Sequence, residues 1–242
     1  LIFQVLADDS LKGWNGFGIV VQAYQKRAPF VIDYIAEMAR KLGRIIPVRL
    51  VKGAYWDSEV KRAQVDGQNG YPVFTRKPNT DVAYLACARL VLEQGPELYP
   101  QFATHNAHTV AAIAHLAAHN RREFEFQRLH GMGEELYAEV MRKDGLDMPC
   151  RVYAPVGSHE DLLPYLVRRL LENGANSSFV NRITDEHVAI DDLIRDPVET
   201  VSAFDSIPHP RIPLPVQLFQ NQAPSLSTNR KNSMGANLAN DQ

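Results

Sequence analysis

The feature that most constrains the fold is a repeated alternation of a short apolar run with a helical pattern. Five such strand–helix units follow one another from about residue 18 to residue 173. Repeats of this kind predict a parallel β-sheet covered by helices. The predicted strands span 18–24, 46–51, 101–104, 124–129 and 150–154, and the predicted helices span 30–42, 57–65, 81–94, 107–119, 134–142 and 160–173.

Polar residues inside the strands bear on whether the sheet is doubly wound or a barrel. Gln22, Arg49, Glu125 and Gln127 lie within otherwise apolar strands. Because side chains alternate between the two faces of a strand, Glu125 and Gln127 share one face and the neighbouring phenylalanines share the other. Inward polar groups near strand ends build the active sites of (β/α)₈ barrels. We therefore predict the last five units of an incomplete (β/α)₈ TIM-type barrel, with about three units expected upstream.

Composition excludes several functional classes. The formal net charge is −2, so no basic excess points to a nucleic acid or an anionic membrane surface. Cys87 and Cys150 lack CxxC spacing, which argues against a zinc site or a disulfide framework and fits a reducing compartment. No apolar run approaches the length of a membrane span. The first residues carry no initiator Met and no signal-peptide pattern, and we interpret them as an internal cut through a longer chain.

The character of the chain changes after residue 201. Five prolines lie between residues 208 and 224, and many Asn and Ser residues follow them. This composition is typical of an extended linker with little regular structure. We therefore predict a barrel domain over residues 1–202 and a linker over residues 203–242.

The last predicted helix carries charged residues on one face. Tyr165, Arg168, Arg169 and Glu172 share this face, and leucines and a valine occupy the opposite one. One interpretation is a solvated charged face above a buried apolar face. The other is a paired-arginine clamp for a carboxylate, because guanidinium groups offer planar bidentate donors.

Two strand ends carry further candidate residues. Arg49 forms either a structural ion pair with Glu125 across the barrel or a contact to a cofactor, since an unpaired buried arginine is costly. Tyr55 and Trp56 either wall a planar ligand or pack. His105 follows the third strand, and we expect it to hydrogen bond rather than bind a metal, because no HExxH pattern is present. The chain also lacks a GxGxxG fingerprint for a Rossmann dinucleotide site.

Several long runs resemble the proline dehydrogenase half of the bifunctional proline utilization A flavoproteins. The resemblance covers nearly the whole chain. The matching runs are residues 21–27 (VQAYQKR), 49–59 (RLVKGAYWDSE), 102–108 (FATHNAH), 125–127 (EFQ) with 129–132 (LHGM), 153–157 (YAPVG) and 163–179 (LPYLVRRLLENGANSSF).

The resemblance implies roles for individual residues. Arg168 and Arg169 would hold the carboxylate of proline, while Tyr55, Leu129 and Tyr153 would wall its ring and Tyr165 would support the clamp. Arg49 would lie beside the flavin N5 atom, and it joins Tyr153, Arg168 and Arg169 as the expected catalytic residues. The other expected FAD contacts are Gln22, Val51, Lys52, Ala54, Trp56, Thr75, Lys77, Thr104, His105, Asn106, Gln127 and Glu172.

The resemblance also implies a reaction and partners. Hydride transfer from L-proline to FAD would give 1-pyrroline-5-carboxylate, and the electrons would pass to a quinone at the membrane surface. The resemblance further implies a cytoplasmic location at the inner membrane face and a homo-oligomeric parent protein. Residues 214–238 resemble the lead-in to an NAD-dependent aldehyde dehydrogenase. The family places a lysine and an aspartate of the substrate site on strands upstream of residue 1.

Two other interpretations remain open at this point. The chain is a non-catalytic fragment if five parallel strands without their neighbours leave the barrel open. Alternatively, it belongs to another flavin barrel enzyme of the methylenetetrahydrofolate reductase type, which would lack the Arg168–Arg169 pair.

Overall fold

The computed structural model describes residues 2–174, 187, 189–219 and 232, and these form an α/β fold around one parallel sheet. The strands are β1 (Ile19–Gln22), β2 (Ile46–Val51), β3 (Leu98–Ala103), β4 (Glu125–Leu129) and β5 (Cys150–Tyr153). The helices are α1 (Ile2–Leu6), α2 (Ala28–Leu42), α3 (Trp56–Val65), α4 (Lys77–Glu93), α5 (Ala107–Asn120), α6 (Glu134–Met141), α7 (His159–Gly174), α8 (Ile190–Leu193) and α9 (Pro197–Ser202).

The order of the strands favours a barrel over a doubly wound sheet. The five strands are parallel, and their order in the sheet is β1-β2-β3-β4-β5. A doubly wound sheet reverses its strand order at a switch point, whereas a barrel adds each strand beside the preceding one. The sequential order is therefore the one expected for consecutive units of a TIM-type barrel.

The predicted elements are confirmed to within two residues, apart from two boundaries whose larger shifts have local causes. β3 begins at Leu98 rather than residue 101, because the sequence signal stops at Pro100, a residue that weakens a strand prediction. Helix α4 begins at Lys77 rather than residue 81, since Pro78 lies in its first turn, where a missing N–H costs nothing.

The core lies between the sheet and its helices. Strand residues of one face, including Val48, Leu50 and Phe102, are fully buried against helix residues such as Ile32. The ring of Phe126 contacts those of Phe124 and Tyr137 at centroid distances of 5.2 Å and 6.0 Å. The opposite face carries Arg49, Gln101, Glu125 and Gln127, as the alternation of side chains predicts. The sheet thus divides an apolar core from a polar interior face.

The described part of the predicted linker packs against the rest of the fold. We call residues 204–219 the C-terminal strap. The hydroxyl of Tyr71 donates to the Pro213 carbonyl at 2.8 Å, and Asn79 Nδ2 donates to the Ile207 carbonyl at 3.1 Å. The guanidinium carbon of Arg76 lies 4.1 Å from the centroid of the Phe204 ring. The expectation of an extended arm is therefore wrong for these residues, while the domain boundary at residue 202 stays a prediction.

Candidate functional site

The candidate site is built at the carboxyl ends of the five strands. β2 ends at Val51 and leads into Lys52 and Gly53, and β5 ends at Tyr153. Active sites of barrel enzymes lie at this end of the strands. The predicted residues at this end are Gln22, Val51, Lys52, Ala54, Tyr55, Trp56, Thr104, His105, Asn106, Leu129 and Tyr153.

Arg49 lies against an aromatic ring rather than in an ion pair. Its guanidinium carbon is 4.0 Å from the centroid of the Tyr153 ring, which is the geometry of a cation–π contact. Its Nε is buried and has no hydrogen-bond partner among the described residues. The suggested ion pair with Glu125 is not formed, because Glu125 pairs with Arg151. Arg49 therefore retains an unused donor on the interior face.

Helix α7 brings its paired arginines to the strand ends. The guanidinium carbon of Arg168 lies 5.0 Å from the centroid of the Tyr55 ring, and that of Arg169 lies 5.5 Å from the Tyr165 ring. Leu163 and Leu166, on the apolar face, are 52% and 44% exposed. The expectation of a buried apolar face is therefore wrong for these leucines, while Arg168 is itself exposed and the carboxylate clamp stays a prediction. The side chain of Glu172, predicted to lie on the same face as the arginines, is outside the described residues.

The residues of the turn after β2 are fixed by close packing, an ion pair and a hydrogen bond. Gly53 has φ of 129°, and a Cβ atom there would lie 2.5 Å from the Tyr24 ring, so only glycine fits. Lys52 forms an ion pair with Asp81, which also binds Lys77 Nζ at 3.3 Å. Trp56 Nε1 donates to the Phe74 carbonyl at 2.8 Å. The segment that carries Thr75 and Lys77 is thereby joined to the end of β2.

The Thr104-His105-Asn106 run uses its side chains to fix the end of β3. Asn106 Oδ1 caps helix α5 by accepting from the Thr109 N–H at 3.0 Å. His105 Nε2 accepts from the Leu129 N–H at 3.2 Å, which links the ends of β3 and β4. The expectation of a hydrogen-bonding His105 is confirmed. Within the described ranges, no group of three potential metal-ligating side chains occurs.

The histidine at this position is held in its neutral form. Burial lowers the pKa of His105 to about 4, with smaller contributions from the positive charges of Arg128 and Arg169. Since Nε2 accepts a hydrogen bond, the proton of the neutral ring lies on Nδ1. A pKa this low keeps His105 uncharged throughout the physiological range.

The buried histidine predicts a pH dependence of stability. The unfolded chain binds a proton at His105 below about pH 6.5, whereas the folded chain binds it only near pH 4. The contribution of neutral His105 is therefore complete above pH 6.5 and is lost as the pH falls from 6.5 towards 4. Urea denaturation at pH 7 and pH 5 should show a smaller loss of stability in His105→Gln than in the unchanged chain. Equal losses of stability in the two proteins would contradict the assignment of a buried, neutral His105.

The other predicted residues lie around this centre with partners of their own. Thr75 Oγ1 accepts from the backbone N–H of His209 at 2.9 Å, so its own hydroxyl proton remains available to donate. Leu129 is buried at 5% exposure beside the half-buried Tyr153. Val51, Ala54 and Gln22 lie half-buried at the strand ends. The site thus combines fixed polar groups with apolar walls.

Three residues of this region were missed by the sequence analysis. Arg151 and Gln101 both hydrogen bond to Glu125, and Asp81 binds the two lysines described above. Alternation along β5 places Arg151 two residues from Tyr153 on the same face, a signal that was available. The spacing of Lys77 and Asp81 is an i,i+4 pair, which was also visible in the sequence.

Comparison with known proteins shows which family the chain resembles. The family model described as proline dehydrogenase matches residues 1–182. The bifunctional protein PutA of Salmonella typhimurium is 56% identical over the whole chain, and mitochondrial proline dehydrogenase 2 of Arabidopsis thaliana is 30% identical over 63% of it. The chain spans 19% of the length of that PutA protein and 33% of the plant enzyme.

A solved structure shows the same fold. The crystal structure of proline utilization A from Bradyrhizobium japonicum matches 91% of this chain with a TM-score of 0.85 and 57% sequence identity, and the match covers 22% of that protein. The predicted α/β fold of the TIM-barrel type is thereby confirmed.

Proposed function

Because the chain belongs to the proline dehydrogenase family, we propose that it carries the cofactor- and substrate-binding part of an FAD-dependent oxidation of L-proline to 1-pyrroline-5-carboxylate. The observation that carries the proposal is the placement of Arg168 beside Tyr55 at the strand ends. A guanidinium group next to an aromatic wall suits a small amino acid with a carboxylate and an apolar ring.

The proposed binding residues fall into two groups, one that binds the carboxylate of proline and one that contacts its ring. Arg168 and Arg169 hold the carboxylate, because guanidinium groups match its two oxygens. Tyr55, Tyr153 and Leu129 provide apolar contacts for the ring. Tyr165 lies beneath Arg169 and keeps its guanidinium in place. Fixing the substrate in one orientation supplies much of the rate by proximity.

The interior face fits a flavin. Arg49 offers a buried Nε with no partner among the described residues, while Gln127 is a buried polar side chain on the same face. Lys52 and Lys77, together with the hydroxyl of Thr75, supply donors for phosphate oxygens. Held by these residues, FAD would supply the redox chemistry as the acceptor of a hydride from proline. The positive charge of Arg49 would stabilise negative charge on a reduced flavin.

The wider setting of the chain is part of the proposal. Four relatives are named bifunctional PutA proteins, and the chain covers 19% of each. We infer that it acts within such a protein in the cytoplasm, that a quinone at the inner membrane face takes the electrons, and that the parent protein is a homo-oligomer. The second activity would be an NAD-dependent aldehyde dehydrogenase. No helix within the described ranges is long and apolar enough to cross a membrane.

A spectroscopic titration tests the proposal directly. The purified chain should give a protein-bound flavin spectrum with FAD, and L-proline without oxygen should bleach it. Pyrrolidine, which has the ring but no carboxylate, should leave the flavin oxidised, because Arg168 and Arg169 have nothing to hold. A chain that binds no FAD, or a bound flavin that L-proline leaves oxidised, would contradict the proposed activity of this chain.

A further inference from the structure

Two glutamine side chains on the interior face donate to one carboxylate. Gln101 Nε2 and Gln127 Nε2 each donate to Glu125 Oε1 at 2.8 Å. Arg151 donates from Nε to the same oxygen and from Nη2 to Glu125 Oε2, both at 2.8 Å. Glu125 and Gln127 are each only 5% exposed. The carboxylate therefore sits at the centre of a connected polar network.

The carboxylate fixes the direction of both amides. Burial alone would raise the pKa of Glu125, but the hydrogen bonds from Arg151 and Gln127 outweigh it and leave the pKa below its ordinary value. An ionised carboxylate only accepts hydrogen bonds, so each glutamine must turn its NH₂ group towards Glu125. Each carbonyl oxygen then lies on the other side of its planar amide. No donor to either carbonyl oxygen occurs among the described residues.

We propose that Glu125 is a positioning residue, which holds the Gln127 carbonyl oxygen as an acceptor and thereby selects the edge of a bound ring that carries an N–H group. The inference rests on the proposed function, in which the bound ring is an oxidised flavin. That ring carries one N–H group, at N3. Arg49 supplies the complementary donor on the same face, because its strand register places it level with Gln101 and Glu125. The face thus offers an acceptor and a donor at fixed places.

Binding of FAD and of FAD methylated at N3 tests this selection. The unchanged chain should bind FAD about fivefold more tightly than the methylated form, the worth of one neutral hydrogen bond. In Glu125→Gln the carboxamide can donate as well as accept, so the Gln127 amide can turn over. The preference for FAD should then fall to near unity. A Glu125→Gln protein that keeps the full preference overturns the proposal while leaving the proposed function intact.

Two further variants separate positioning from general damage. Gln127→Met should lose the preference by itself, and adding Glu125→Gln to it should change nothing more, because Glu125 acts through Gln127. If Glu125→Gln fails to fold, retention of the preference by Gln127→Met overturns the proposal. Glu139→Gln is the matched control, since Glu139 also pairs with an arginine at 2.9 Å but lies exposed on α6. It should keep the preference.

Amide exchange tests the positioning without any flavin. The side-chain NH₂ protons of Gln127, assigned by comparison with Gln127→Met, should exchange about tenfold more slowly than those of an exposed glutamine. Glu125→Gln should remove this protection. If the unchanged chain binds neither flavin, the proposed function fails, and amide exchange alone then decides whether Glu125 orients the Gln127 amide. Fast exchange then overturns the role of Glu125, and slow exchange supports it.

Discussion

Replacing Arg168 with alanine is expected to lower kcat/KM for L-proline by about 100-fold, since losing the hydrogen bonds between a guanidinium and a carboxylate costs about 1.5–3 kcal/mol. Arg168 lies beside the Tyr55 ring at the strand ends, and both side chains are exposed to an incoming substrate carboxylate. The loss should fall mainly on KM if the carboxylate is bound equally in the ground state and the transition state. Steady-state kinetics with an artificial electron acceptor measure both constants.

Two variants test the specificity of this effect. Arg168→Lys should recover only part of the activity, because lysine keeps the charge but loses the planar pair of donors. Arg62→Ala is the matched control, since the side chain of Arg62 on α3 is 83% exposed. Unchanged KM and kcat in Arg168→Ala would remove the arginine from the substrate site.

Replacing Phe126 with alanine is expected to lower the free energy of unfolding by about 3–5 kcal/mol. The ring is fully buried and packs against Phe124, Phe102 and Tyr137, so its removal leaves a cavity between the sheet and α6. Urea denaturation followed by circular dichroism gives the change. Phe30→Ala provides the control because that ring is 74% exposed, and it should change stability by less than about 0.5 kcal/mol. A similar loss in both variants would argue against the core described here.

Periodicity predicted the sheet and its two faces because burial leaves a strong pattern. The alternation that places Glu125 and Gln127 on one face could be read directly, and both side chains are buried on the interior side. The partner of Glu125 could not be chosen in the same way. Arg49 and Arg151 both project to that face, and only the register of β4 with β5 brings Arg151 close to the carboxylate.

Helix α7 and the C-terminal strap show where local patterns fail. Amphipathicity alone would bury the leucines of α7, yet Leu163 and Leu166 are more than 40% exposed, and the paired arginines meet tyrosine rings instead. The strap is bound largely through backbone carbonyls, such as those of Ile207 and Pro213. Every residue carries such a carbonyl, so composition cannot distinguish a bound segment from an extended linker.

The attachment of the strap also sets an order of events during synthesis. Tyr71 and Pro213 are 142 residues apart, and Asn79 and Ile207 are 128 residues apart. At about 5–20 residues per second, a ribosome needs about 7–30 s to travel that distance. The strand pairs of the sheet form between neighbours in the chain, so they are available much earlier. The segment that carries Thr75 and Lys77 therefore waits for the last part of the described fold to leave the ribosome before its contacts are complete.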